Sequence, residues 1–137
     1  MIDRRGGCIV ILYCIILHMI WATLIWCGGH DATGGTAVSA LVNIFGSDTA
    51  VITVLIVTAV GAGVALLFRD PVNVVLLVPQ QSLLLMSAAG AIGAIVMGKF
   101  ADGVVRPRAF IAADQIHIVL IAVAHGIALV LRGAHSK

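Results

Sequence analysis

Residues 49–68 read TAVITVLIVTAVGAGVALLF and carry no charged side chain. About twenty residues in an α-helix rise about 30 Å, which matches the hydrocarbon thickness of a bilayer. Three other apolar stretches have a similar length: residues 8–27, 80–98 and 110–131. The sequence therefore predicts an all-α integral membrane protein in which residues 1–137 form one polytopic domain, a bundle of four transmembrane helices.

The composition supports a membrane location and excludes some classes of function. Charged residues make up 10% of the 137 residues, whereas a soluble domain carries about 25%. All six acidic residues are aspartates, the net charge is +2, and no basic cluster typical of a nucleic-acid interface is present. The first apolar stretch is longer than the apolar core of a signal peptide, so we expect it to be retained as a span. The predicted partner is the lipid bilayer and not nucleic acid.

Two segments beside the predicted spans carry further signals. Residues 36–45 (TAVSALVNIF) are too short to cross, and their apolar residues recur at helical spacing, which predicts a short amphipathic helix along the membrane interface. Residues 71–98 lack charges and as one helix would measure about 42 Å, more than a bilayer needs. We expect Pro79 to break this stretch and begin the third span, with a single kinked helix as the alternative. Gln80 and Gln81 then either cap the helix start or line a polar cavity.

The distribution of basic residues predicts the orientation in the membrane. With four spans, both termini lie on the same side. That side would hold five basic residues and the opposite side three: Arg4, Arg5, Arg69, Arg132 and Lys137 against Lys99, Arg106 and Arg108. Because cytoplasmic loops carry the excess of Lys and Arg, we expect both termini in the cytoplasm, with a bacterial inner membrane as the host membrane.

Four ionisable residues fall inside the predicted spans: His18 in the first, and Asp114, His117 and His125 in the fourth. At about 100° of rotation per residue, Asp114, His117 and His125 lie within an arc of about 80° on one face of the fourth span. If the first and fourth spans pack antiparallel, His18 and His125 lie at a similar depth. One interpretation is a proton path or a polar pore lining, because histidine titrates near neutrality. The other is neutral imidazoles that hydrogen-bond neighbouring helices and stabilise the packing.

Small residues recur along two of the predicted spans. Gly90, Ala94 and Gly98 follow one another at intervals of four in the third span, and the second span contains Gly61 and Gly63. Small side chains let two helix backbones approach closely, and this close approach drives helix association in lipid. We expect these residues to form helix-packing faces, either within one chain or between copies in a homo-oligomer.

The sequence lacks the motifs of common enzymes and cofactor sites. It contains no Gly-rich phosphate loop, no H-E-x-x-H and no C-x-x-C. Cys27, His30 and Asp31 have a spacing that a metal site can use, but this pattern alone does not predict one. We therefore expect a protein that is not an enzyme and that has neither a cofactor nor a metal.

Small size, several spans and small-residue faces favour a holin-like function. Such a protein is phage-encoded, accumulates as an oligomer and permeabilises the cytoplasmic membrane. Two other functions fit the same features: an accessory or anchor subunit that packs against other membrane subunits, and a small transporter of protons or solutes. The transporter would use His18, Asp114, His117 and His125.

Overall fold

The computed structural model describes residues 4–29, 36–67, 72–97 and 108–135. These residues form α-helices and no strand: α1 Arg4–Gly28, α2 Thr36–Phe45, α3 Asp48–Leu67, α4 Val72–Met97 and α5 Arg108–His135. Helices α1, α3, α4 and α5 are each long and apolar enough to cross a membrane. This confirms the prediction of an all-helical chain with four helices of spanning length. Such sequences form helices because a helix satisfies its own backbone hydrogen bonds where no water is present.

Glycines end the two helices that precede α3. Gly29 and Gly46 have positive φ angles of 75° and 89°. Each donates its amide hydrogen to the carbonyl four residues earlier, a left-handed helix cap that a side chain would strain. Ser47 then begins α3, because its hydroxyl accepts a hydrogen bond from the Ala50 amide at 3.2 Å. Helices α2 and α3 are therefore joined by a two-residue connection, Gly46 and Ser47.

Helix α2 is present over the predicted residues, and it packs into the bundle. Val38 and Leu41 are almost completely buried. The main neighbour of α2 is α4, and α2 also contacts α3 and α5. Its outer side carries the exposed Asn43 and Ile44. That α2 lies along the membrane interface stays a prediction from the sequence.

The four long helices form an antiparallel ring, because α1 and α4 each contact both α3 and α5. The described residues form three apolar clusters in its interior, and the two discussed next lie at different levels of the bundle. The first apolar cluster joins the late part of α1 and the early part of α3 with residues of α2, α4 and α5. Its members are Trp21, Ala22, Ile25, Val38, Leu41, Val51, Leu55, Leu83, Ala91 and Ile118. The second apolar cluster joins the early part of α1 and the late part of α3 with one residue each of α4 and α5. Its members are Ile11, Ala62, Ala65, Leu77 and Ala128. Neighbouring helices in the ring therefore run in opposite directions.

Helix α4 begins earlier than predicted. It runs without interruption from Val72 to Met97 and contains Pro79, so the prediction that the third helix starts at Pro79 is wrong and the single-helix alternative holds. Proline has no amide hydrogen, and the Val75 carbonyl loses its usual donor. The helix nevertheless continues, because unwinding the flanking residues in lipid would leave more backbone groups unpaired. Pro79 is exposed on the surface of the bundle, where its ring does not disturb the helix contacts.

Gly61 and Gly63 of α3 have different surroundings. A Cβ atom on Gly61 would lie 3.5 Å from the Leu76 carbonyl oxygen of α4, so the two backbones approach closely at this point. A Cβ atom on Gly63 would meet nothing within 4 Å. Within the described chain, Gly61 therefore packs against a neighbouring helix and Gly63 does not.

Of the other residues predicted to form packing faces, the structure describes only some. Gly90 is half-buried in α4. Gly98 lies outside the described residues, as does the side chain of Ala94. Gly7 of α1, which the sequence analysis did not single out, brings α1 close to α5, because a Cβ atom there would lie 3.5 Å from the Ala128 Cβ.

Replacing Gly61 by leucine should push α3 away from α4. We expect the free energy of unfolding to fall by about 1–3 kcal/mol, the usual cost of overpacking. The matched control is Gly63→Leu, which makes the same change of helix propensity in the same helix but places the side chain in open space. Thermal unfolding in detergent micelles, followed by circular dichroism, compares the two variants. Equal midpoints would contradict the close approach of α3 and α4 at Gly61.

Candidate functional site

Each of the four long helices contributes a buried polar side chain to one level of the bundle. His18 of α1, Thr58 of α3, Gln80 of α4 and His125 of α5 are between 0% and 5% exposed. We call these four residues the polar layer. Polar side chains are rarely buried without a specific partner, so a layer of this kind has a structural or a functional role.

The polar layer lies between the first apolar cluster and the second apolar cluster. In α1, His18 lies between Ile11 of the second cluster and Trp21 of the first. The other three helices repeat this arrangement, with the polar residue between one member of each cluster: Leu55, Thr58 and Ala62; Leu77, Gln80 and Leu83; Ile118, His125 and Ala128. Thr58 lies midway along the 20 residues of α3, about 15 Å from either end. The layer is therefore near the middle of the helix that would cross the membrane.

His125 is held between two glutamine side chains of α4. Its Nε2 lies 2.7 Å from Gln80 Oε1, and its Nδ1 lies 2.7 Å from Gln81 Oε1. The Gln81 amide nitrogen donates a hydrogen bond to the Ala122 carbonyl of α5 at 3.2 Å. These contacts join α4 to α5 inside the bundle and hold the imidazole ring from both sides.

The hydrogen bonds around His125 allow two protonation forms. Imidazolium has two N–H donors, whereas neutral imidazole has one donor and one acceptor nitrogen. Two glutamine oxygens facing the ring match the imidazolium. Rotating the Gln80 amide by half a turn matches the neutral ring, because the amide nitrogen then donates to His125 Nε2. Rotation of the Gln80 amide breaks no hydrogen bond of its Nε2, which has no partner among the described residues, whereas the Gln81 amide nitrogen is bonded to Ala122.

His18 has no hydrogen-bond partner on either ring nitrogen among the described residues, although it is fully buried. Its ring lies against the Trp21 indole, with centroids 5.9 Å apart and planes inclined at 31°. A buried polar group without a partner costs about 1–3 kcal/mol. A small polar ligand or a water molecule near His18 and Gln80 would therefore gain hydrogen bonds that the protein leaves open.

Gly126 of α5 creates the space that the Gln81 side chain occupies. A Cβ atom on Gly126 would lie 3.1 Å from Gln81 Nε2 and 3.7 Å from its Cδ, which is tighter than ordinary side-chain contact. Gln81 therefore lies directly across the α5 backbone beside His125. The sequence analysis did not single out Gly126; the signal that identifies it is a glycine directly after a buried histidine in a span.

The structure separates His117 from the polar layer. His117 is exposed, and its Nε2 lies 2.7 Å from the Tyr13 hydroxyl of α1. The two rings meet edge to face, with centroids 5.8 Å apart. An angle of about 80° between His117 and His125 on α5 places one ring on the outer surface and the other inside. The side chain of Asp114 lies outside the described residues.

A metal site is not formed within the part of the chain that the structure describes. No group of three or more His, Cys, Asp or Glu side chains lies close enough there to hold an ion. Cys27 is exposed at the end of α1, and His30 and Asp31 fall outside the described ranges. The interior site is therefore a set of imidazole, amide and hydroxyl groups.

The chain matches no protein-family model, no curated protein and no solved structure. Its function is therefore inferred from the polar layer. The layer brings together His18 and His125, and it adds Gln80, which the sequence analysis treated as part of a helix break. His117 and Tyr13 form a separate pair outside it.

Replacing Gly126 by valine should displace Gln81 and break its hydrogen bonds to His125 and Ala122. We expect the free energy of unfolding to fall by about 1–2 kcal/mol, the upper range for hydrogen bonds between transmembrane helices. The control is Gly133→Val, in the same helix with open space around the Cβ position. ¹⁵N NMR of the His125 ring reports the contact directly. An unchanged Nδ1 resonance in Gly126→Val would contradict this arrangement.

Proposed function

We propose that this protein moves protons across its membrane through the interior of the bundle, with His125 as the residue that accepts and releases the proton. The observation that carries the proposal is a titratable ring, hydrogen-bonded on both nitrogens, at the middle of the bundle. Charged side chains cost about 2.5–3.5 kcal/mol at this depth on insertion scales, and ionisable residues there usually mark ion pathways. Histidine is the side chain whose ordinary titration falls near physiological pH.

His18 supplies a second proton-binding position on another helix. An imidazole accepts a proton on one nitrogen and releases one from the other, so it transfers a proton without crossing the membrane itself. Neither ring nitrogen of His18 has a hydrogen-bond partner among the described residues, so a water molecule that enters the layer could bond to both. His18 and His125 together extend the proton path from α1 to α5.

Apolar residues on both sides of the polar layer favour a closed resting state. Ile11 and Leu77 are fully buried on one side, and Leu55 and Leu83 are buried on the other. Helix α2 adds Leu41 to the same side as Leu55. Proton transfer then requires water to enter these apolar segments, and hydrophobic constrictions in channels open and close by wetting and dewetting.

The outer surface of the bundle favours an interior route over a hole between copies. Large apolar side chains are exposed on all four long helices, for example Leu12, Val60, Leu85 and Val130. A water-filled hole lined by these side chains would have a largely apolar wall. Holin-like permeabilisation, homo-oligomerisation, a role as an accessory subunit, and cytoplasmic termini in a bacterial inner membrane stay predictions from the sequence.

Proton movement can be measured in proteoliposomes that contain a pH-sensitive dye. A potassium diffusion potential, negative inside, should drive acidification of the interior. His125→Phe should reduce this acidification to the level of protein-free vesicles, because phenylalanine keeps a ring of similar size without a proton acceptor. The matched control is His117→Phe, which removes a histidine from the same helix but from its outer surface, and it should retain the wild-type flux.

Circular dichroism and size-exclusion chromatography establish that each variant is assembled before its flux is compared. A correctly assembled His125→Phe variant with wild-type flux would show that the proposal is wrong. Release of a trapped dye-sized solute together with protons would instead support the holin-like hole-former. Wild-type vesicles no more permeable than protein-free vesicles would exclude both functions.

A further inference from the structure

The polar layer contains groups that bind protons but no negative charge to balance them. From α1, His18 and the buried thiol of Cys14 face the interior, and from α5 His125 does so. The buried polar side chains from α3 and α4 are neutral hydroxyls and amides, and the buried side chains of α2 are apolar. Among the described residues, no carboxylate is buried. A proton bound here would therefore lack a buried carboxylate counter-ion from the described part of the chain.

The positions of the charged residues in the sequence strengthen this conclusion. The chain has no glutamate, and Asp114 is the one aspartate inside a predicted span. It precedes His125 by about 16 Å of helix rise along α5. Arg132 lies about 10 Å beyond His125 on the same helix and donates a hydrogen bond to the Cys8 sulfur. The nearest fixed charge from α5 is therefore positive.

The layer also holds hydrogen-bond donors without acceptors. The Gln80 amide nitrogen and both ring nitrogens of His18 are buried and have no partner in the part of the chain that the structure describes. His18 carries one N–H when neutral and two when protonated, and an amide nitrogen carries two. Buried donors of this kind next to a protonatable ring are complementary to an anion.

We propose that the polar layer binds a small monovalent anion, of the size of chloride, together with the proton, so that the pair crosses the membrane without net charge. This rests on the proposed function, because it names the second substrate of the same site. A buried charge is strongly unfavourable alone and much less so when it is paired and hydrogen-bonded. His125 supplies the positive charge, and the N–H groups of His18 and Gln80 are the donors to the anion.

Rotation of the Gln80 amide couples anion binding to protonation of His125. In the neutral form, the amide nitrogen donates to His125 Nε2, and the amide oxygen takes the position that faces away from His125, where it repels an anion. In the protonated form, His125 donates to the Gln80 oxygen, the contact seen at 2.7 Å. The amide nitrogen, which has no partner among the described residues, then takes the position facing away from His125 and can donate to an anion. Protonation therefore changes this position from an acceptor to a donor.

A chloride gradient at zero membrane potential tests the coupling. Proteoliposomes with equal pH and equal potassium on both sides are treated with valinomycin, and chloride is placed outside against gluconate inside. We expect the chloride gradient to acidify the interior severalfold faster than in protein-free vesicles, since the anion carries the proton with it. His125→Phe should abolish this acidification and His117→Phe should not.

The two proposals fail differently in this experiment. If a negative-inside potential drives His125-dependent acidification but the chloride gradient at zero potential does not, the protein carries protons alone and the anion proposal is wrong. If neither condition gives His125-dependent acidification, the proposed function is wrong as well. If the chloride gradient drives it at zero potential, both stand.

Gln80→Glu provides a second test, because it is nearly isosteric and supplies the missing negative charge. The carboxylate would pair with protonated His125 and take the place of the anion. We expect this variant to assemble normally and to lose chloride-driven acidification. The neutral comparison is Gln80→Met, which has a similar length and no charge. Chloride-driven acidification that persists unchanged in Gln80→Glu would overturn the proposal.

Discussion

The hydrogen bonds between His125 and the two glutamines of α4 hold α4 and α5 together at the centre of the bundle, and the remaining interior is arranged around them. In lipid, a polar side chain must find its hydrogen-bond partner within the protein, because the hydrocarbon core offers no water to bond to. Consecutive residues of a helix point about 100° apart, so Gln80 and Gln81 reach the ring from two sides. Gly126 makes room for the second of them.

The apolar clusters on either side give this polar arrangement its stability. They place apolar side chains on both sides of the layer and bring the helices close enough for the glutamines to reach His125. Small residues such as Gly61 and Gly7 allow the close approach of helices, since dispersion contacts and not hydrophobic burial stabilise helix association in lipid. The same packing explains why a function in the layer would need a change of hydration, because closely packed apolar residues leave no polar route through the bundle.

The residue types in the layer determine the chemistry that is available to it. Imidazole, amide and hydroxyl groups can all be uncharged, so the layer can be buried without a counter-ion as long as its histidines are unprotonated. His18 and the Gln80 amide nitrogen keep unused hydrogen-bonding capacity, which closely packed interiors seldom retain. The combination of unused hydrogen-bonding groups with a titratable ring distinguishes this bundle from one that is held together by packing alone.

The sequence by itself determined the number of long helices, their approximate limits and the position of α2, because span length and hydropathy are local properties. The start of α4 was predicted wrongly at Pro79, because a proline usually begins or breaks a helix in water. In lipid, an unwound backbone leaves polar groups unpaired, and the helix continues through Pro79. Only the tertiary structure separated the exposed His117 from the buried His125 and joined His125 to Gln80 and Gln81. These contacts depend on the rotation of α5 against α1 and α4, and no local pattern specifies how helices distant in sequence are rotated about their axes when they pack.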